Sequence, residues 1–408
     1  MPIDAAARVL IIADDLTGAL DTAGAFASRG IATKVIAEPK TSDAASVRDA
    51  QVVAVNTASR HLPAADAAVH MLQCARLLST QHFDIVFKKI DSTLRGNVVV
   101  ETETLMKTCG RPTALVAPAF PAQGRTVIDG MVHVEGVPLP DTGFAKDALS
   151  PPPLLPLGDA FADVVGRDRV MSWRPGQALT LAESGVIIAD AENDSDMSEL
   201  FGKVAERVTQ TLLVGSAGLG EMLAARLDGG AGQNKSRGQI TRLEPVSDPI
   251  VFVVGSRAAR SREQVEQLRR QPQTVLIEAP NGETGEMADT AGADQIILLA
   301  VENPDADRLD ANGADAEKVA HRMARTGLEV ATFNRAAVVV VTGGDTAMAL
   351  LIEAGSSVIE VCGNLMPGIP YSQFEWKGRR LHLVTKAGGF GTRDTFVDIV
   401  RCFRGRAS

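Results

Sequence analysis

The sequence predicts an α/β protein of two domains, each a mostly parallel sheet flanked by helices, with a ligand cleft between them. Short β-branched runs alternate with amphipathic helical stretches along almost the whole chain, the pattern of parallel strands joined by crossover helices. Strands such as VLIIA, TALVA and VVVV are apolar at nearly every position, as in sheets covered on both faces. The chain has 408 residues, enough for two domains of ordinary size, and a polar, Gly-rich stretch, Gly229–Gly238, offers the division.

Arg8–Ala13 reads as a buried strand, and Thr17–Arg29 as a helix with Leu20, Ala23, Phe26 and Ala27 at helical spacing and Gly30 as its stop. Strands follow near Thr33–Ala37, Gln51–Val55, Asp84–Lys89 and Thr113–Ala117, with a helix over Ala64–Leu78 between two of them. Met131–Leu139 reads as a short β excursion around Gly136, an apolar surface on which two copies could pair as a homodimer. Ser150–Gly158 is too rich in proline for regular helix or a central strand. The first domain therefore spans 1–228 and the linker 229–248. Pro249 opens the second domain, 249–408, with the strand-like runs PIVFVVGS, TVLIEA, QIILLAV, AVVVVTGG, SVIEVCG and HLVTKAGG. A closing helix, Thr395–Phe403, sets Phe396, Ile399, Val400 and Phe403 on one face.

Composition removes several classes. Hydrophobic residues at 45% and charged residues at 22% are ordinary globular usage and exclude a disordered chain. A net charge of -9 and 4% aromatics argue against nucleic acid and anionic membranes as partners. No apolar run approaches the roughly 18–20 residues of a membrane helix. No basic stretch with a long apolar core stands at the N-terminus, and Cys74, Cys109, Cys362 and Cys402 are scattered without CxxC spacing. A cytoplasmic protein without a zinc or redox motif is expected.

Ligands of open α/β sheets bind outside the carboxyl ends of the strands. The first strand delivers Asp14, Asp15, Leu16, Thr17 and Gly18. Asp15 or Thr17 can cap the next helix, or one aspartate can accept a substrate hydroxyl proton. Strand neighbours point to opposite faces, so the two aspartates are not expected to serve one ligand. The strand at Gln51–Val55 delivers Arg60, a bidentate carboxylate clamp or a solvated arginine, and His61, read as structural or exposed. The densest cluster is Lys88, Lys89, Asp91, Ser92, Thr93, Arg95, Gly96 and Asn97. It suits a polyhydroxylated anion, with Lys89 and Asp91 on one face, Lys88 on the other, and Ser92 or Asn97 as a helix cap.

In the second domain, Thr342-Gly343-Gly344-Asp345-Thr346 joins a strand to a helix. Glycines there let a backbone approach a phosphate, with N–H groups and the helix dipole aimed at it, although Asp345 can also be a plain N-cap. Val254-Gly255-Ser256, Cys362-Gly363-Asn364 and Lys386–Thr392, with Gly388, Gly389 and Gly391, repeat the theme at further strand ends. Together they suggest a phosphate-bearing ligand. Gly215–Gly220 has the wrong spacing for a dinucleotide fingerprint and reads as a tight strand–helix turn. No GxxxxGK[ST], HExxH or GxSxG is present.

These segments make the chain similar to the four-carbon acid sugar kinase family, bacterial enzymes that phosphorylate threonate, erythronate or 3-oxo-tetronate with ATP. The matching runs are IIADDLTGALDTA (Ile11–Ala23), NTASRHL (Asn56–Leu62), KKIDSTLRGN (Lys88–Asn97) and APAFPAQGRTVIDGMVHVEGVPL (Ala117–Leu139). They continue through VVTGGDTAMALL (Val340–Leu351), GNLMPGIP (Gly363–Pro370) and TKAGGFG (Thr385–Gly391). The resemblance implies an N-terminal acid-sugar domain with contacts at Asp15, Arg60, Lys89, Asp91 and Ser92. It implies a C-terminal nucleotide domain with contacts at Ser256, Gly343–Asp345, Gly363–Asn364 and Gly388–Gly391. Relatives often carry Cys-Ser after the Gly-Ser pair, where this chain has Arg257-Ala258.

On this resemblance ATP and Mg²⁺ are expected as cosubstrate and cofactor, without a protein cage for the metal. The acid's carboxylate is expected near Arg60 or Lys89, with Asp15 as proton acceptor, Asp91 as the second choice, and Arg95 stabilising charge or bracing its loop. A sugar-acid oxidoreductase lacks its dinucleotide fingerprint here. A non-catalytic sugar-acid or nucleotide sensor would use the same pocket without turnover.

Overall fold

β1 (Val9–Ala13) is buried along its whole length, as its unbroken apolar run demands. It leads into α1 (Leu16–Ala27), which buries Leu16, Leu20, Ala23 and Phe26. The computed structural model describes residues 3–39, 44–147, 150–179, 184–227, 243–284, 292, 294–301 and 313–405. The chain divides into two units, Met1–Ser236 and Arg237–Ser408. Most of the segment expected as linker, 229–242, lies outside the described residues.

The first unit continues with β2 (Thr33–Ile36), β3 (Val52–Asn56), α2 (Ala64–Thr80), β4 (Ile85–Lys89), α3 (Val98–Thr108) and β5 (Thr113–Ala117). The excursion around Gly136 is a separate antiparallel sheet of β6 (Arg125–Ile128), β7 (Met131–Val134) and β8 (Val137–Pro138). The proline-rich stretch ends sooner than its composition suggested. Pro156 caps α4 (Leu157–Val165), so Leu157 and Gly158 are already helical. β9 (Val170–Trp173), β10 (Gly185–Ala189), α5 (Asp194–Val204), β11 (Thr211–Gly215) and α6 (Ala217–Leu227) complete the unit. Its sheet runs β2-β3-β1-β4-β11-β5-β10-β9 and is parallel throughout. β1 pairs Ala13 with Asn56 on one side and with Lys89 on the other, so the loops after β1, β3 and β4 leave the sheet level with one another. The chain turns to opposite sides of β1 here, the point at which open α/β sheets form a crevice.

The second unit contains β12 (Ile250–Val254), α7 (Ala259–Arg269), β13 (Thr274–Glu278), β14 (Ile296–Ala300), α8 (Gly313–Phe333), β15 (Val338–Thr342) and α9 (Gly344–Glu353). It ends with β16 (Val358–Met366), β17 (Ile369–Trp376), β18 (Arg379–Lys386) and α10 (Thr395–Phe403). The order is β13-β14-β12-β15-β18-β17-β16, with β17 antiparallel to both its neighbours. The core sits where α10 meets the sheet. Phe396, Ile399 and Phe403 are buried, and the Phe396 ring lies 5.1 Å from that of Phe252. Val254, Thr342 and Lys386 are in register at the carboxyl ends of β12, β15 and β18.

One expectation is corrected here. Cys362-Gly363-Asn364 is not a turn after a strand, because β16 continues to Met366 and carries these residues through a bulge. The reversal falls at Pro367–Gly368, and β17 returns through Ile369-Pro-Tyr-Ser-Gln-Phe-Glu-Trp, a run rich in the aromatic side chains that strands favour. Among the described residues no helix is long and apolar enough to cross a membrane.

Candidate functional site

Past Ala13 the strand has ended, so the two aspartates no longer alternate between faces. Both meet one guanidinium. Arg60 donates from Nε and Nη2 to Asp14 at 2.9 and 2.8 Å, and from Nη1 to Asp15 Oδ2 at 2.8 Å. The two carboxylates thus converge on one side chain, although strand alternation assigned them opposite faces. The other oxygen of Asp15 accepts the Gly18 N–H at 2.9 Å, which makes it the N-cap of α1 as well. Arg60's bidentate fork, expected for a substrate carboxylate, is taken by Asp14.

Arg95 repeats the arrangement. It donates to Asp91 from Nε at 2.8 Å and Nη2 at 3.1 Å, and lies 3.7 Å from Asp147. Thr93 adds a hydroxyl hydrogen bond to Asp91. Burial pushes the Asp91 carboxyl up, but Arg60 and Arg95 outweigh it and hold the group well below the usual carboxylate range. Asp14 is likewise pushed up by burial, then held low by Arg60, Lys88 and Lys89. Ser92 is half-buried, and its hydroxyl has no partner among the described residues. Asn97 precedes α3 without capping it through its side chain. Its amide holds the Arg60 loop instead, donating to Ser59 O at 3.1 Å and Leu62 O at 2.8 Å.

The two lysines of β4 divide as strand alternation predicts. Lys88 is wholly buried and pairs with Glu101 of α3 at 2.7 Å. Glu101 also accepts the Ser59 hydroxyl, next to Arg60. Lys89, only 6% exposed, donates to Ile90 O at 2.9 Å and has no ion pair among the described residues. An ammonium has three protons, so two are left over in a recess where unmet donors are costly. Gly18 makes room for it, since a Cβ there would lie 3.2 Å from Lys89 Nζ and 2.6 Å from Asp15 Oδ1. The neighbouring loops hold Ala58 and Leu94 at φ 50° and 60°, conformations rare outside glycine and frequent around functional sites.

In the second unit the turns after β12, β15 and β18 converge. A cavity of about 320 Å³ is lined by Gly255, Ser256, Arg257, Gly343, Asp345 and Thr346, with Val301, Val319 and Ala320 as an apolar wall. Gly343 is the N-cap of α9 and makes no side-chain cap, so the helix's first N–H groups stay open and Asp345 is not the plain cap it might have been by spacing. The loop after β18 closes on the same place, because a Cβ on Gly388 would collide with Ser256 Oγ. Gly363 and Asn364 lie in β16, where Gly363 pairs with Tyr371 and Tyr371 with Val384. Among the described residues no group of three His, Cys, Asp or Glu side chains can hold a metal.

Three side chains were missed by sequence reasoning. Glu101 shares the core-facing stripe of α3 with Val98, Thr102 and Leu105, a spacing that foretells its burial. Asp21 lies one turn beyond Gly18 in α1, and burial raises its carboxyl pKa although Lys89 pulls it down. Lys386 was passed over as the start of a glycine loop.

Two family models match the chain one after the other. Residues 9–223 match the family model described as a sugar-binding N-terminal domain, and 251–396 that of a nucleotide-binding C-terminal domain. The chain is 31% identical over 420 residues to a D-threonate kinase of Bordetella bronchiseptica, covering 97% of each. It is 30% identical over 424 residues to a 3-oxo-tetronate kinase of Methylobacterium radiotolerans, covering 94% of this chain and 96% of the relative. A Haemophilus influenzae crystal structure shares the fold, with a TM-score of 0.72 at 20% identity, covering 97% of this chain and all of that one.

Proposed function

We infer, from the premise that this chain belongs to the four-carbon acid sugar kinase family, that it transfers the γ-phosphoryl group of ATP to the terminal hydroxyl of a threonate, erythronate or 3-oxo-tetronate. It is a phosphotransferase with an alcohol acceptor. The observation that carries the substrate assignment is Lys89, a buried ammonium with two unused protons that shares the space over Gly18 with Asp15 and bears on Asp14. With Arg60 committed to Asp14 and Asp15, Lys89 is the group that takes the acid's carboxylate. Ser92 meets a sugar hydroxyl.

Asp15 accepts the proton of the attacking hydroxyl. Each of its oxygens carries one hydrogen bond and keeps a second lone pair, and a quarter of the side chain is exposed. Asp91, held low by two guanidiniums, is the weaker acceptor and fixes Arg95. The nucleotide lies over Ser256, the Gly343–Asp345 turn and the Gly388–Gly391 loop, with Arg257 at the rim. Mg²⁺ would be held chiefly through the nucleotide, since no group of three His, Cys, Asp or Glu side chains among the described residues could hold it, and it would supply positive charge to the phosphates.

Lys89→Met tests the carboxylate assignment. The KM for the acid is expected to rise about 10–100-fold, with kcat changed less, in steady-state kinetics with saturating ATP. An unchanged KM for the acid would remove Lys89 from this role.

A further inference from the structure

Lys386 ends β18 with a side chain 1% exposed. Its ammonium donates to the carbonyls of Ala387, Gly388 and Phe390 at 2.8, 3.0 and 3.1 Å, which uses all three protons. α7 supports the same loop with neutral donors. Ser261 Oγ reaches Gly388 O at 2.8 Å, and Gln264 Nε2 reaches Phe390 O at 3.1 Å and Thr392 O at 2.7 Å. The loop's carbonyls are thus drawn into the unit. The N–H groups of Gly388, Gly389 and Gly391 have no acceptor among the described residues. Successive free N–H groups of this kind make an anion-binding concavity.

Neutral donors suffice to hold carbonyls, as Ser261 and Gln264 demonstrate. A lysine adds a charge, and no carboxylate among the described residues compensates it. From α10 it meets the Phe396 ring, whose centroid is 5.7 Å from Nζ. Its register partner on β15 is Thr342, and Asp345 of α9 lines the adjacent cavity without pairing to it. The charged group bearing on it from α7 is Arg260, of like sign. A buried charge without a partner is unfavourable unless something supplies the opposite charge.

We propose that Lys386 is a positioning residue for nucleotide phosphate, turning the 387–391 loop's N–H groups outward and holding beneath them a positive charge that the incoming anion compensates. This rests on the reading of the second unit as the nucleotide site. Burial, with Arg260 adding, lowers the lysine's pKa to about 8 in the free protein. A nearby anion favours the charged form, so binding raises that pKa and takes up a proton at and above it. Affinity is then full below about pH 8 and declines as pH rises through that value.

The test is calorimetric titration of the full chain with ADP at about pH 8.5, well above the phosphate's own second pKa of about 6, in buffers of different ionisation enthalpy. Net proton uptake is expected for the wild type. Lys386→Arg, which stays charged, should bind with no uptake, and Lys386→Gln should bind about 10–100-fold more weakly with the KM for the acid unchanged. Wild-type binding without uptake, or uptake that persists in Lys386→Arg, overturns the proposal while leaving the nucleotide site standing. No ADP binding by the folded wild type at any pH overturns both.

Discussion

Exchanging Asp15 for Asn is expected to lower kcat about 10²–10⁴-fold while leaving nucleotide affinity unchanged. The substitution separates chemistry from structure unusually well. Asn is as good an N-cap as Asp, so the hydrogen bond from Gly18 N and the start of α1 survive. Arg60 keeps both bonds to Asp14 and loses only the charge on its third partner. What disappears is the anionic oxygen that takes the hydroxyl proton. Single-turnover kinetics with saturating ATP and acid measure it directly. A kcat near wild type would exclude Asp15 as proton acceptor and turn attention to Asp21, whose carboxyl lies beside Lys89 and is raised by burial.

The second large effect is on stability. Lys88 and Glu101 are 0% and 1% exposed and form a 2.7 Å ion pair under the Arg60 loop. Removing one partner strands a buried charge, so Lys88→Met is expected to cost about 3–5 kcal/mol. For a unit of this size that is a fall in Tm of roughly 6–20 °C. Replacing both partners, as Lys88→Met with Glu101→Leu, should recover most of that loss, because an apolar pair of similar volume carries no desolvation penalty. The double variant should still turn over slowly, since Ser59 loses its carboxylate acceptor and the loop carrying Arg60 keeps only its hold from Asn97 and its remaining contacts. Thermal unfolding and kcat on the same preparations give both readouts. A double variant as unstable as the single one would mean that the pair is not where the stability resides.

Much of this was legible in the chain itself. Apolar runs such as VLIIA and TALVA became strands buried at every position, and the closing helix has the bounds its spacing predicts. The segments that deliver Asp14–Asp15, Arg60 and Lys88–Asn97 were readable because polar residues crowd strand ends that the fold brings level. Pairing within the crowd was not readable. Alternation predicted opposite faces for Asp14 and Asp15, but it ceases to apply one residue after the strand stops. Gly363 misled for a related reason. Glycine marks a bulge as readily as a turn, and only the pairing of β16 with β17 separates the two. Glu101 and Lys386 matter through partners distant in sequence or through backbone carbonyls, and neither kind of partner leaves a mark on local pattern.

The proposed reaction is phosphoryl transfer from ATP to a four-carbon acid sugar. It is tested most directly by ADP release from ATP and Mg²⁺ over D- and L-threonate, D- and L-erythronate and their 3-oxo forms, with the phosphorylated product quantified. At least one of these acids is predicted to drive ADP formation matched one for one by phosphorylated acid, with negligible release when no acid is present. Folded protein that binds ATP yet releases no more ADP with any of these acids than without them would rule this reaction out.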